Sequence, residues 1–270
     1  MMKRCIIVGL PEAGKSTYIG AFWAIEKDGN TGHKLICSKY PEDSTYLDSL
    51  KMEWNRQETV NRSSMQDHIE ITFELKDNQT GRNISLCIPD FKGERFQAIL
   101  QNNLAPEVDK WLRETDSVLF FVGYSERDML QDEIGCVTVE SQSSSPKVLT
   151  INDISHWTKN IMLLKYIVQN YNIRKFSICI SAWDRVDMEI YATVEDWLRQ
   201  QSAFLLNYIK ENIPEYKLFG VSAQGLNYND RLPDESIENI QERAENHQRA
   251  YVFEGEKIYD ITEPLYYLLS

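Results

Sequence analysis

Thirteen residues near the amino terminus, Cys5-Ile-Ile-Val-Gly9-Leu-Pro-Glu-Ala-Gly14-Lys15-Ser16-Thr17, constrain this chain more than any other stretch. A short apolar run leads into Gly-x-x-x-x-Gly-Lys-Ser, and a helical pattern follows through Tyr18, Ile19, Phe22 and Trp23. The order has a physical purpose. A buried strand aims a loop, the loop's N–H groups wrap a diphosphate, and the helix behind it points its positive end at the charge. Gly9 and Gly14 let the backbone turn and approach phosphate oxygens where a Cβ would interfere. Glu12, Ala13, Gly14, Lys15, Ser16 and Thr17 form the cradle, with Lys15 reaching the outer phosphates and the Ser16 hydroxyl placed to ligate Mg²⁺. Pro11 removes one N–H donor, so the part of the cradle near the outer phosphate depends more on Ala13, Gly14 and Lys15.

Further along, apolar segments alternate with helical patterns. His68 to Leu75 alternates as a half-exposed edge strand does, Asp77-Asn-Gln-Thr-Gly81 turns the chain, and Asn83 to Pro89 returns to Asp90. Ser117 to Gly123 and Lys175 to Ser181 are continuous apolar runs of the kind buried on both faces of a parallel sheet. Leu218 to Val221 is a last short strand, and Tyr251-Val-Phe with Ile258-Tyr259 suggests a small hairpin. Helices are expected from Glu94 through Trp111, from Ile154 through Val168, from Thr193 to Asn212 with Thr193 and Asp196 as a capping pair, and from Leu265 to Leu269 behind Thr262-Glu-Pro264. Residues 28 to 66 are polar and weakly patterned, with a stretch from Leu47 to Trp54 that could be helical. The expected fold is α/β: a three-layer, doubly wound, mostly parallel sheet with one antiparallel edge hairpin, the P-loop NTPase architecture. A single domain spans 1–270, with insertions at 124–152 and 227–260.

In such a sheet, ligands sit at the carboxyl ends of the strands. Four suggestive segments fall there: Gly9 to Ser16, Asp90-Phe-Lys-Gly93, Ser181-Ala-Trp-Asp184 and Ser222-Ala-Gln224. Asp90 can hold the water shell of Mg²⁺, and the Gly93 N–H can sense a γ-phosphate. A mobile hydroxyl from Thr59, Ser63 or Ser64 could meet the same phosphate and metal. His156 reads as a surface or core residue rather than a catalyst.

Composition excludes several classes. The formal charge of −12 argues against a nucleic-acid surface as the main partner. No apolar run is long enough to span a bilayer, and no secretory leader is evident. The five cysteines, Cys5, Cys37, Cys87, Cys136 and Cys179, form no metal spacing, and three sit in apolar runs, so reduced thiols and a cytoplasmic setting are expected.

From about residue 3 to 226 the chain resembles a P-loop GTPase of the translation-factor and Ras-related (TRAFAC) class. The Gly9–Ser16 loop is the strong motif. Asp90-Phe-Lys-Gly93 is similar to that class's Mg²⁺ and γ-phosphate motif, and Ile180-Ser-Ala-Trp-Asp184 is similar to its Asn-Lys-x-Asp base reader, of which only the acid is kept. The resemblance implies GTP/GDP and Mg²⁺ as ligands, with Asp184 accepting hydrogen bonds from guanine N1–H and N2–H₂, and the backbone of Ser222 and Ala223 touching the guanine oxygen. Ser181 and Ala182 stand where Asn and Lys are usual, so Trp183 is expected to supply an apolar wall for the base. Glu94 occupies the place of the water-orienting glutamine, either as a catalytic group beside Lys15 or as a helix N-terminal acid. The tail, Tyr259-Asp-Ile-Thr-Glu-Pro-Leu-Tyr, further resembles the bacterial double-GTPase-like proteins of conflict and antiphage systems. That resemblance implies a role in such systems beside an effector or regulatory protein. Because a carboxylate at Glu94 also repels the triphosphate, the expected activity is a GTP-hydrolysing switch with slow intrinsic turnover, helped by a partner or by a second copy in a nucleotide-dependent homodimer. A poorly hydrolysing assembly subunit is the alternative, and a P-loop kinase a third; its lid would be 124–152, which holds only Arg127. No motif places Arg95, Arg174 or Arg185 as a charge-stabilising group.

Overall fold

The computed structural model describes residues 2–29, 32–56, 68–124, 151–225 and 249–270. Strand β1 (Met2–Gly9) feeds α1 (Lys15–Asp28), then β2 (Leu35–Lys39) and α2 (Thr45–Arg56). The hairpin β3 (His68–Asp77) and β4 (Asn83–Phe91) leads to α3 (Gly93–Ile99), α4 (Pro106–Glu114) and β5 (Ser117–Val122). Next come α5 (His156–Asn170), β6 (Lys175–Ser181), α6 (Val194–Gln201), α7 (Ala203–Asn212) and β7 (Glu215–Ser222). The chain closes with β8 (Tyr251–Phe253), β9 (Lys257–Ile258) and α8 (Glu263–Leu269).

The nine strands among the described residues form one mixed sheet in the order β2-β3-β4-β1-β5-β6-β7-β8-β9. The five central strands, β4 to β7, run parallel. Both flanks are antiparallel: β2 and β3 on one side, β8 and β9 on the other. Burial explains the centre. Every residue of β5 is buried, and Ile6, Ile7, Val8, Ile178, Cys179 and Ile180 are at most 1% exposed, so these runs can only sit under helices on both sides. Alternate side chains go to opposite apolar clusters. Ile6, Val8, Val118 and Phe120 pack with α3, α4, α5, α6 and α7, while Cys5, Ile7, Leu119 and Phe121 pack with α1, α2 and α8.

The structure departs from the sequence reading in specific places. The antiparallel edge is not one hairpin: β2 extends it, and a second antiparallel flank lies beyond β7. The expected helix from Glu94 through Trp111 is two helices. Ala105 is extended (φ −71°, ψ 136°) because it precedes Pro106, which starts α4. The expected helix from Thr193 to Asn212 is also divided, at Ser202 (φ −154°, ψ 76°), although the cap holds: the Thr193 hydroxyl oxygen accepts the Asp196 N–H. Thr262 stands at the N-cap of α8 without a side-chain cap. Its hydroxyl donates instead to Asp260 and accepts the Leu35 N–H, fastening the tail to β2. Among the described residues no helix is long and apolar enough to cross a membrane, and Cys5, Cys37, Cys87 and Cys179 are free thiols.

Candidate nucleotide site

The carboxyl end of β1 turns through Leu10 to Gly14 into α1 with two residues in the left-handed region, Glu12 (φ 61°) and Gly14 (φ 85°). A Cβ on Gly14 would lie 3.0 Å from Ser181 Cβ at the end of β6, so glycine is needed for space as well as for conformation. Gly9 is equally confined, its missing Cβ lying 2.9 Å from the Phe121 carbonyl. Left-handed residues alternating with ordinary ones curl successive N–H groups toward one point, the backbone nest that binds anions. Gly14 is also the N-cap of α1 and brings no capping side chain, so the helix presents its first amides and its positive end to that point. Lys15 lies over the loop with its ammonium donating to the carbonyls of Gly9 (2.8 Å) and Leu10 (3.0 Å).

Ser16, in the first turn of α1, donates its hydroxyl proton to Asp90 Oδ2 at 3.1 Å, across 74 residues of sequence. Both groups are buried, at 7% and 4% exposure. The Tyr46 hydroxyl of α2 donates to the same carboxylate oxygen. One hydroxyl and one carboxylate are the donor set that suits Mg²⁺, which keeps waters and takes its remaining oxygens from substrate phosphates. The residues therefore fit the ion, and Ser16 and Asp90 would hold it. Gly93 packs its Cα on the phosphate loop, where any Cβ would collide with Pro11. Glu94 follows, exposed in the first turn of α3.

The far side of the site is built by β6 and β7. After Ser181 the backbone makes a left-handed turn at Ala182 (φ 52°) into the short 3-10 turn Trp183–Arg185. Asp184 then accepts the Ser222 hydroxyl proton at 2.8 Å, joining the ends of the two strands. Trp183 is not an apolar wall for a base. It is fully buried, stacked on Phe253 with ring centroids 5.4 Å apart, and it sits where a Cβ on Gly220 would be. The indole faces the core because the left-handed Ala182 sends it inward while Asp184 stays partly exposed.

The structure thus brings together the Gly9–Ser16 loop, Asp90, Gly93, Asp184 and Ser222 at one end of the parallel strands. Thr59, Ser63 and Ser64 lie outside the described residues. Arg95 sits in α3 and Arg185 in the turn after Asp184. Arg174 precedes β6 and is at the opposite end of the sheet from the loop. His156 heads α5 half-buried, 3.7 Å from the place of a Cβ on Gly123, beside the loop backbone at Ala13. Three further residues touch the site without having been read from the sequence: Tyr46, and the pair Trp54 and Arg249. The helical reading of Leu47 to Trp54 pointed toward Trp54, with Tyr46 two turns earlier on the same face, and nothing in the sequence announced Arg249.

A strand, a glycine-bent anion nest, a helix carrying lysine and serine, and a strand-end aspartate against that serine define a P-loop nucleotide-binding protein. The family model of Double-GTPase 1 matches residues 6–268, and the chain belongs to that family. No curated protein matches the chain. Among solved structures it is similar to Sup35 complexed with GDP, at 14% identity and TM-score 0.38 over 83% of this chain and 38% of that one. It is also similar to the S. cerevisiae Ski7 GTPase-like domain bound to GDP and inorganic phosphate (15% identity, TM-score 0.42, 87% of this chain and 47% of that one). The same domain bound to GTP gives 14% identity and TM-score 0.43, with the same coverage. The chain therefore spans less than half the length of each of these structures.

Proposed function

We propose that this protein is a Mg²⁺-dependent GTPase that switches a partner protein between states, acting in the cytoplasm, with bacterial defence as the setting its family resemblance suggests. The observation that carries the reading is the Ser16–Asp90 hydrogen bond beneath the glycine nest, with the Asp184–Ser222 pair at the same sheet end. Backbone amides of Ala13, Gly14 and Lys15 hold the diphosphate. Lys15 exchanges its loop carbonyls for phosphate oxygens and stabilises charge on the outer phosphate as the bond to it breaks. Ser16 and Asp90 would hold Mg²⁺, which would supply charge neutralisation on the phosphate oxygens. Gly93 has no side chain between its amide and the outer phosphate, and Glu94 beside it orients the attacking water.

Asp184 selects the base. A carboxylate accepts both N1–H and N2–H₂ of guanine, and adenine offers no such pair. The Ser222 hydroxyl holds one of its oxygens in place. Asp184→Asn is expected to weaken GTP at least about tenfold and leave ATP unchanged, since a lost charge-assisted hydrogen bond is worth about 1.5–3 kcal/mol. Competition of labelled GDP against GTP and ATP reads this directly, and unchanged GTP-over-ATP selectivity would remove Asp184 from the role.

A second reading is a nucleotide-responsive assembly subunit that scarcely hydrolyses. The exposure of Glu94 in the first turn of α3, where an acid also serves the helix dipole, favours it. Single-turnover phosphate release across a range of protein concentrations separates the two. Release that accelerates with concentration supports a switch completed by a second copy, and no release at any concentration supports the assembly subunit.

A further inference from the structure

Helix α2 touches the candidate site at both of its ends. Near its start, the Tyr46 hydroxyl donates to Asp90, the metal-side acid. Near its end, the Trp54 indole N–H donates to the Ala223 carbonyl at 2.7 Å, within the turn that follows Ser222. Tyr46, Leu50 and Trp54 are four residues apart and share a face, so the two polar contacts are separated by about 12 Å along the helix axis. Between them Leu50 seats the helix on α1, its carbonyl 3.0 Å from where a Cβ on Gly20 would be.

The Trp54 end is clamped from a second direction. Arg249, 6% exposed, places its guanidinium 3.7 Å from the centre of the indole ring. Its Nε donates to the Gln224 carbonyl at 2.9 Å and its Nη2 to the Trp54 carbonyl. The Gln224 side-chain amide donates to the Trp54 carbonyl as well, at 3.4 Å. Gly225 follows in the left-handed region (φ 75°), where a Cβ would collide with the Arg249 carbonyl. The carbonyls of Ala223 and Gln224 are thus both drawn toward Trp54 and Arg249. A trans peptide points its N–H opposite to its C=O, so the amides of Gln224 and Gly225 are turned away from that side. The Gln224 amide directly continues the Ser222–Ala223 backbone expected to touch the guanine oxygen, so fixing these peptide planes fixes that backbone as well.

We infer that Trp54 and Arg249 are positioning residues for base recognition: they fix the peptide planes of Ala223 and Gln224, and α2 thereby ties the base-reading turn to Asp90. This rests on the reading of Asp184 and Ser222–Gln224 as the base side of the site. Neither side chain touches the nucleotide in this role. Both act through backbone carbonyls, and their loss shows in selectivity among nucleotides with identical phosphates.

The test compares GDP with ADP by calorimetry, with magnesium present, for the intact chain and for Trp54→Phe and Arg249→Lys. Trp54→Phe keeps an aromatic ring under Arg249 and removes the N–H. Arg249→Lys keeps the charge and removes the planar fork. Each is expected to lower the GDP-over-ADP preference by about fivefold or more, the size of one lost hydrogen bond, with ADP affinity unchanged. A variant that fails to melt cooperatively is set aside and the other decides. Full GDP preference in a folded variant would overturn the inference, and so would an equal loss of GDP and ADP affinity, which a merely structural role produces. Absence of GDP preference in the unmodified chain would overturn the guanine reading and this inference together, an outcome distinct from the other two.

Discussion

At the scale of single residues, the site is set by groups that leave others no freedom. Tyr46 is one. Its hydroxyl holds the oxygen of Asp90 that also accepts the Ser16 proton, the outer-shell arrangement that orients a metal-binding carboxylate. Tyr46→Phe is therefore expected to raise the magnesium concentration at which GDP binding tightens by about tenfold, without changing metal-free GDP affinity. A magnesium titration followed by fluorescent GDP checks it. His33 is another. Burial pushes its pKa down, but the Glu26 carboxylate, the Asp260 carboxylate and the Tyr259 carbonyl outweigh burial and hold it above the ordinary histidine value. Its Nε2 lies 3.1 Å from the Tyr259 carbonyl oxygen and its Nδ1 3.6 Å from Glu26 and 3.8 Å from Asp260. Because the folded value is raised, the protonated ring stabilises the fold fully below the unfolded pKa of about 6.5, and that contribution is lost as pH rises through the folded value. The melting temperature of the wild-type chain minus that of His33→Gln should accordingly shrink as pH rises from about 6 to about 9. Cys5 reports the core: burial raises its thiol to about 12, so it stays protonated and unreactive.

At the scale of elements, legibility in the sequence followed burial and local chemistry. The central strands β1, β5 and β6 were readable because burial on both faces demands unbroken apolar runs, and the Asp77–Gly81 turn because Asp77 receives the Gln79 and Thr80 amides locally. Strand β2 was not readable. Leu35-Ile-Cys-Ser-Lys39 is half-exposed, and what makes it a strand is remote: pairing with β3 and anchorage to the tail. Asp260 is the anchor, taking the Lys34 N–H at 2.8 Å, the Thr262 N–H at 2.9 Å and the Thr262 hydroxyl at 2.6 Å. Tyr18 of α1 adds a hydrogen bond to the Ile261 carbonyl at 2.9 Å. The Tyr259–Tyr266 segment is thus a fastener between β2, α1 and α8. Asp260→Ala leaves buried donors without an acceptor and is expected to cost about 2–4 kcal/mol in urea unfolding. A loss under about 0.5 kcal/mol, the size of an ordinary surface substitution, would contradict the fastening role. The breaks at Ala105 and Ser202 differ in origin: Pro106 announces the first, and nothing in the helical spacing around Ser202 announces the second.

At the scale of the molecule, five parallel strands bring four loops to one end, and this explains why the residues of the candidate site could be grouped from the sequence. The phosphate loop, Asp90, Asp184 and Ser222 each end a parallel strand, so topology alone gathers them. The inward turn of Trp183 and the reach of α2 to Ala223 were not legible, because each depends on a distant partner, Gly220 and Arg249 respectively. Arg174 lies across the sheet, about 20 Å from the carboxyl end of the seven-residue strand β6, too far to reach a nucleotide at that end of its own chain. This gathered end is expected to hold a guanine nucleotide. Isothermal titration calorimetry with magnesium present, using GDP and ADP as the two titrants, tests that directly. A saturable heat for GDP at one site per chain, lost in Lys15→Ala and much weaker for ADP, is the expected result. No heat for GDP, or equal heats for GDP and ADP, would contradict it.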